Sequence, residues 1–76
     1  MTDPTQLDAR GLLCPLPVLK ARKALKPLPE GAELLVLADD PAAVIDVPHF
    51  CTEAGHTLLD QSENGAHLEF RIRKGG

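Results

Sequence analysis

Seven prolines and six glycines punctuate a chain of 76 residues, so no regular element can run far before meeting a residue that ends or bends it. Proline lacks an amide donor and fixes φ, and glycine takes left-handed backbone without strain, so together they mark where elements stop. A first strand is expected over residues 6–9, closing at Arg10-Gly11. A helix is expected over residues 15–26, with Val18, Ala21 and Leu25, and Leu28 just beyond, on one apolar stripe at helical spacing. Pro27, Pro29 and Gly31 then end it.

Residues 34–38 form a short apolar run, the pattern of a strand with covered neighbours. Asp40 followed by Pro41 reads as an N-cap with proline in the first helical position, and Asp39 adds negative charge suited to a helix N-terminus. Pro48 is expected to break this second helix near Val47, the helix resuming through Cys51 to Ala54 with Gly55 just past its end. Asn64-Gly65 is a strong hairpin turn, and Leu68, Phe70 and Ile72 alternate with Glu69, Arg71 and Arg73 after it. A two-residue loop there predicts Glu63 opposite Ala66 and Leu59 opposite Phe70. The order βαβαββ predicts an α+β two-layer sandwich: a four-stranded mixed sheet with a right-handed first crossover and both helices on one face. A single domain over residues 1–76 is expected, with residues 1–5 and 74–76 as flexible tails.

Composition narrows the function. Hydrophobic residues make up 43% and charged residues 25%, which is globular rather than disordered. Phe50 and Phe70 are the two aromatic rings, too few for a base-stacking surface, so no direct nucleic-acid binding is expected. No apolar run is long enough to span a bilayer, and Met1-Thr2-Asp3-Pro4 lacks the character of a signal peptide, so a cytoplasmic protein without membrane contact is expected. In that reducing setting Cys14 and Cys51 are expected to be free thiols.

The sharpest local feature is Leu13-Cys14-Pro15-Leu16-Pro17, which places a thiol at or near the N-cap of the first helix with proline next. The positive end of a helix favours thiolate, the nucleophilic form of cysteine, so Cys14 is the candidate nucleophile. The five charged residues between Asp8 and Glu30 are Arg10, Lys20, Arg22, Lys23 and Lys26, all basic, within a chain of net charge −3. On a helical wheel Arg22, Lys23 and Lys26 surround Leu19, with Leu16 close by, the pattern of a docking face for an acidic protein partner, or equally of a solvated helix face. Asp8 either fixes the following turn by accepting backbone amides or ends the strand. Cys51, beside Phe50, reads as a buried structural thiol, and His67 as an outward-facing strand residue. Cys14, Cys51, His49 and His56 lack the close spacing of a zinc site, and no metal or organic cofactor is expected.

Leu7-Asp8-Ala9-Arg10-Gly11-Leu12-Leu13-Cys14-Pro15-Leu16-Pro17 resembles the signature of the TusA/SirA-like sulfur-carrier family, with its Asp, Gly and Cys-Pro-x-Pro in register. Similarity continues through Ala38-Asp39-Asp40-Pro41-Ala42, Asp46-Val47-Pro48, Phe50-Cys51 and Ile72-Arg73-Lys74-Gly75-Gly76. Leu16 departs from the family pattern, which commonly has an acidic residue between the two prolines. The resemblance implies the same βαβαββ fold and a persulfide carried on Cys14. It further implies a cysteine desulfurase of the IscS type as donor and a downstream relay protein as acceptor, with 2-thiolation of a tRNA wobble uridine as destination. Asp8, Gly11, Pro15 and Pro17 would then be supporting motif residues, and Arg10, Leu16, Leu19, Arg22, Lys23 and Lys26 would meet the partner. Alternatives are sulfur delivery to molybdenum-cofactor synthesis or sulfur oxidation, a regulatory binding module in which Cys14 is structural, or sulfur carried on the terminal Gly75-Gly76.

Overall fold

The computed structural model describes residues 4–75, and among these it contains four strands and two helices. They follow the order β1 (Thr5–Asp8), α1 (Leu16–Leu25), β2 (Glu33–Ala38), α2 (Ala43–Ala54), β3 (Thr57–Asn64) and β4 (His67–Arg73). The sheet order is β1-β2-β4-β3, with β1 parallel to β2 and the other pairs antiparallel. This is the expected α+β two-layer sandwich.

The core lies between the helices and one face of the sheet. Leu34, Val36 and Ala38 on β2 and Phe70 and Ile72 on β4 are buried with Ala21 and Leu25 of α1 and Val47, Phe50 and Cys51 of α2. Alternation places these strand residues on one face, and the ladder sets Leu34 against Ile72 and Val36 against Phe70. Pro17, outside the predicted stripe, is also a buried residue of α1.

Three local expectations are corrected. The α2 helix is not broken at Pro48 but runs through it. The carbonyl that Pro48 leaves without an amide is that of Val44, on an exposed turn where water can serve it, while buried Val47, Phe50 and Cys51 hold the helix to the core. The start of α2 lies later than predicted, with Ala42 at the N-cap and Pro41-Ala42 forming a turn. Asp40 still closes this turn, its Oδ1 accepting the Ala42 amide at 3.1 Å.

The hairpin is the third correction. Asn64 pairs with His67, so the two-residue turn is Gly65-Ala66 rather than Asn64-Gly65. Gly65 has φ +66° and Ala66 has no positive φ, the requirement of a type II′ turn. Gln61, not Leu59, therefore faces Phe70, and Glu63 faces Leu68 rather than Ala66. A register shift between Leu58 and Asp60 then brings Leu58 opposite Ile72 and leaves Leu59 exposed. His67 is half-buried rather than fully outward, its Nε2 3.0 Å from Glu69 Oε2.

Thr5 opens β1, and the Lys74 amide donates to the Ala32 carbonyl at 2.8 Å while the Gly75 amide donates to His56 Nδ1 at 2.9 Å. Thr5, Lys74 and Gly75 are thus tied into the fold; of the expected tails, residues 1–3 and 76 lie outside the described residues. Among the described residues no helix is long and apolar enough to cross a membrane.

Phe70 is the largest side chain fully buried among the described residues. Phe70→Ala should lower stability by about 3–5 kcal/mol, read by urea unfolding; a loss below about 1 kcal/mol would contradict the placement of the core.

Candidate functional site

The site is built where the loop after β1 meets the segment joining β2 to α2. Ala9 still bonds to the sheet, its amide donating to the Leu37 carbonyl at 2.8 Å, and the chain then turns through Arg10 and Gly11. Asp8 fixes this turn from below: its Oδ1 accepts the Arg10 amide at 3.1 Å and Nε at 2.9 Å, and its Oδ2 accepts Nη2 at 3.0 Å. The paired guanidinium holds the Asp8 carboxyl down to about 2. Asp8 thus does bond a backbone amide of the turn.

Two consecutive carboxylates from the end of β2 grip the loop from the side. Asp39 accepts the Gly11 amide on both oxygens, at 3.0 and 3.1 Å. Gly11 has φ +82°, backbone that an L side chain would strain. Asp40 Oδ2 accepts the Cys14 amide at 2.6 Å while its Oδ1 holds Ala42. Those two amide bonds, that of Cys14 first, keep the Asp40 carboxyl below its ordinary value.

Cys14 is exposed and precedes the N-cap, which is Pro15 rather than Cys14 itself. The Cys14-Pro15 peptide is cis, and Pro17 lies in the first turn of α1. The thiol does not meet the cations that the sequence suggested; it donates to Asp46 Oδ2 at 2.7 Å. That hydrogen bond, then partial desolvation, then the charges of Asp46 and Asp40 push the Cys14 thiol above its ordinary value. The thiolate-favouring helix end expected from the sequence is thus opposed by the contact with Asp46.

Cys14 opens onto a cleft of about 560 Å³ between α1 and α2, lined also by Val18, Arg22, Asp46, His49, Phe50 and Glu53. The Arg22 guanidinium sits 5.1 Å from the centre of the Phe50 ring, so of the predicted docking cations it is the one that lines the cleft beside the thiol. Lys23 on α1 and Lys26 at its C-cap are exposed outside the cleft lining, and Arg10 is paired with Asp8. Apolar side chains are also left in water around the thiol-bearing loop and both helix starts: Leu13 is 71% exposed, Ile45 75% and Leu19 50%, with Leu16 and Val44 also exposed. Such a cluster is the kind of surface a protein partner covers.

Cys51 is buried, and its burial pushes that thiol up to about 11. It fits the reading of a packing residue. Among the described residues no group of three or more His, Cys, Asp or Glu side chains is arranged to hold a metal ion. Sequence reasoning about charge missed Asp39, Asp40 and Asp46 as site residues. Their signal lay in the run Ala38 to Ala42 and in Asp46-Val47-Pro48, but the contacts span 26 to 32 positions and only the fold brings them to Cys14.

Residues 5–74 match the family model described as sulfurtransferase TusA. The crystal structure of a SirA-like protein from Desulfitobacterium hafniense is similar at 28% sequence identity, with a TM-score of 0.81 over 95% of this chain and 99% of that chain.

The lowered Asp40 carboxyl makes the loop tether pH-dependent. A group whose folded pKa is depressed stabilises fully above its unfolded value of about 4 and loses that contribution as the pH falls through its folded value. The amide resonances of Cys14 and Ala42 should therefore titrate together, with one midpoint below the ordinary aspartate value. Separate midpoints, or a shared midpoint at the ordinary value, would contradict a single bridging carboxylate.

Proposed function

As the chain belongs to the TusA family of sulfurtransferases, we propose that it is a sulfur carrier whose Cys14 accepts sulfane sulfur as a persulfide from a cysteine desulfurase and passes it to a downstream relay protein. Thiolation of a tRNA wobble uridine is the proposed destination, and the cytoplasm the proposed setting. The observation that supports this reading most is the exposure of Cys14 on a loop whose amides are held by two carboxylates, beside a cleft and surrounded by uncovered apolar side chains.

In the proposed transfer the Cys14 thiolate attacks the terminal sulfur of the donor's persulfide. A new sulfur–sulfur bond forms at Cys14 Sγ, the donor's own sulfur–sulfur bond breaks, and its electron pair leaves with the donor cysteine as thiolate. Sulfane sulfur changes hands without net oxidation or reduction, so neither metal nor organic cofactor is needed. Delivery repeats the exchange with the loaded Cys14 as donor. Gly11, Asp8, Pro15 and Pro17 shape the loop, while Leu16, Leu19, Arg22, Lys23 and Lys26 form the proposed partner face. Arg10 contributes to that face only to the extent that it can serve both a partner and Asp8.

Incubation with a desulfurase and cysteine should add one sulfur, roughly 32 Da, to the intact mass, and dithiothreitol should remove it. Cys14→Ala should abolish the gain and Cys51→Ala should keep it; loss in both variants would require a two-cysteine relay. Charge reversal at Arg22 and Lys23 should slow loading through association, with a smaller effect at high salt. An unchanged loading rate would remove the docking face.

A further inference from the structure

Cys14 and Asp46 are 32 positions apart, yet Sγ lies 2.7 Å from Oδ2. The contact is set by Asp40, which anchors the Cys14 amide at the approach to the helix that carries Asp46. The other charged or titratable groups facing the cleft are Arg22 from α1 and His49 and Glu53 from α2. Arg22 lies over the Phe50 ring, and His49 Nε2 lies 3.9 Å from Glu53, so both side chains have partners other than the sulfur. The group in hydrogen-bond contact with the thiol is the carboxyl of Asp46.

We infer that Asp46 is a positioning residue that holds the proton of the resting Cys14 thiol, so that the sulfur becomes a nucleophile only when a docked partner opens this contact. The inference deepens the sulfur-carrier reading and rests on it for its purpose. Carboxylic acids are ordinarily stronger acids than thiols by roughly 4–5 pKa units, so a proton shared between the two resides on sulfur. Asp46 is thus a lock on the thiol and not its general base. An adjacent carboxylate also raises the free energy of the thiolate, by like-charge repulsion and by loss of the bond that the S–H group donates.

A resting carrier in this state reacts slowly with stray electrophiles and oxidants, because the thiolate is the reactive species. On docking, opening of the Sγ–Oδ2 contact releases the S–H proton to solvent water. The sulfur electron pair is then free to form the new bond to the terminal sulfur of the donor's persulfide, and the donor cysteine leaves as thiolate. The proton, the electron pair and the leaving group are all assigned, and no further reactant enters.

The test is the pH dependence of iodoacetamide alkylation at Cys14, followed by peptide mass across the neutral and alkaline range. In the wild-type chain the inflection should lie above the ordinary thiol value of about 8.5. Asp46→Asn keeps the shape and removes the charge; its inflection should move to lower pH, with the thiolate fraction at neutral pH rising about tenfold for each unit of movement and the alkylation rate rising by less, because nucleophilicity falls with pKa. Asp46→Glu, which restores the charge, should fall back toward the wild-type curve. Coincident wild-type and Asp46→Asn curves, or a wild-type inflection below about 8.5, would overturn the lock, and the second criterion holds even if the Asn variant does not fold. Sulfur gain from the desulfurase, scored in parallel on the wild-type chain, separates the two readings. A normal gain without the pH effect removes the lock alone, and the pH effect without any gain removes the carrier.

Discussion

The structure turns on two carboxylates that follow the second strand. Asp39 and Asp40 leave the end of β2 and accept the amides of Gly11 and Cys14, residues that follow the neighbouring parallel strand β1. These bonds hold the loop by side chains from across the sheet at the point where the chain must turn sharply into α1. With them, one short segment fixes the thiol's position, starts α2 through Ala42 and places Asp46 beside Sγ. Sheet pairing, loop shape and thiol ionisation are therefore linked by the same few atoms.

This linkage sets a carboxylate against an exposed cysteine. A helix N-terminus contributes a partial positive charge, and had it been the strongest influence Cys14 would have been a ready thiolate. The nearer influences are the carboxylates of Asp46 and Asp40, which push the thiol above its ordinary value. Exposure and hydrogen bonding thus coexist at this site: the sulfur is reachable, and its S–H donates to Asp46.

The fold was largely legible in the residues because its signals are local. Proline and glycine end the elements, the apolar run of β2 and the alternation in β4 mark strands, and Gly55 ends α2 in left-handed backbone with φ +81°. The errors came where distant packing decided the outcome. Pro48 sits inside a continuous helix because the buried face around Val47 and Phe50 outweighs one lost hydrogen bond. The turn moved by one residue because Asn64 pairs with His67 and its side chain reaches Glu69 at 3.0 Å, and the irregularity at Leu59 then kept Leu58 on the core. For the site, the motif located Cys14 and the loop residues, whereas the acidic cradle depended on contacts across the sheet that spacing along the chain does not reveal.

The most direct measurement is to load the protein with isotopically labelled sulfur through a desulfurase, map the label by peptide mass, and then add cyanide, which removes sulfane sulfur as thiocyanate. A sulfur carrier of the kind described holds the label on the peptide containing Cys14 and yields it to cyanide in a one-to-one ratio. Label on the Cys51 peptide, or label at Cys14 that cyanide cannot remove, would contradict it.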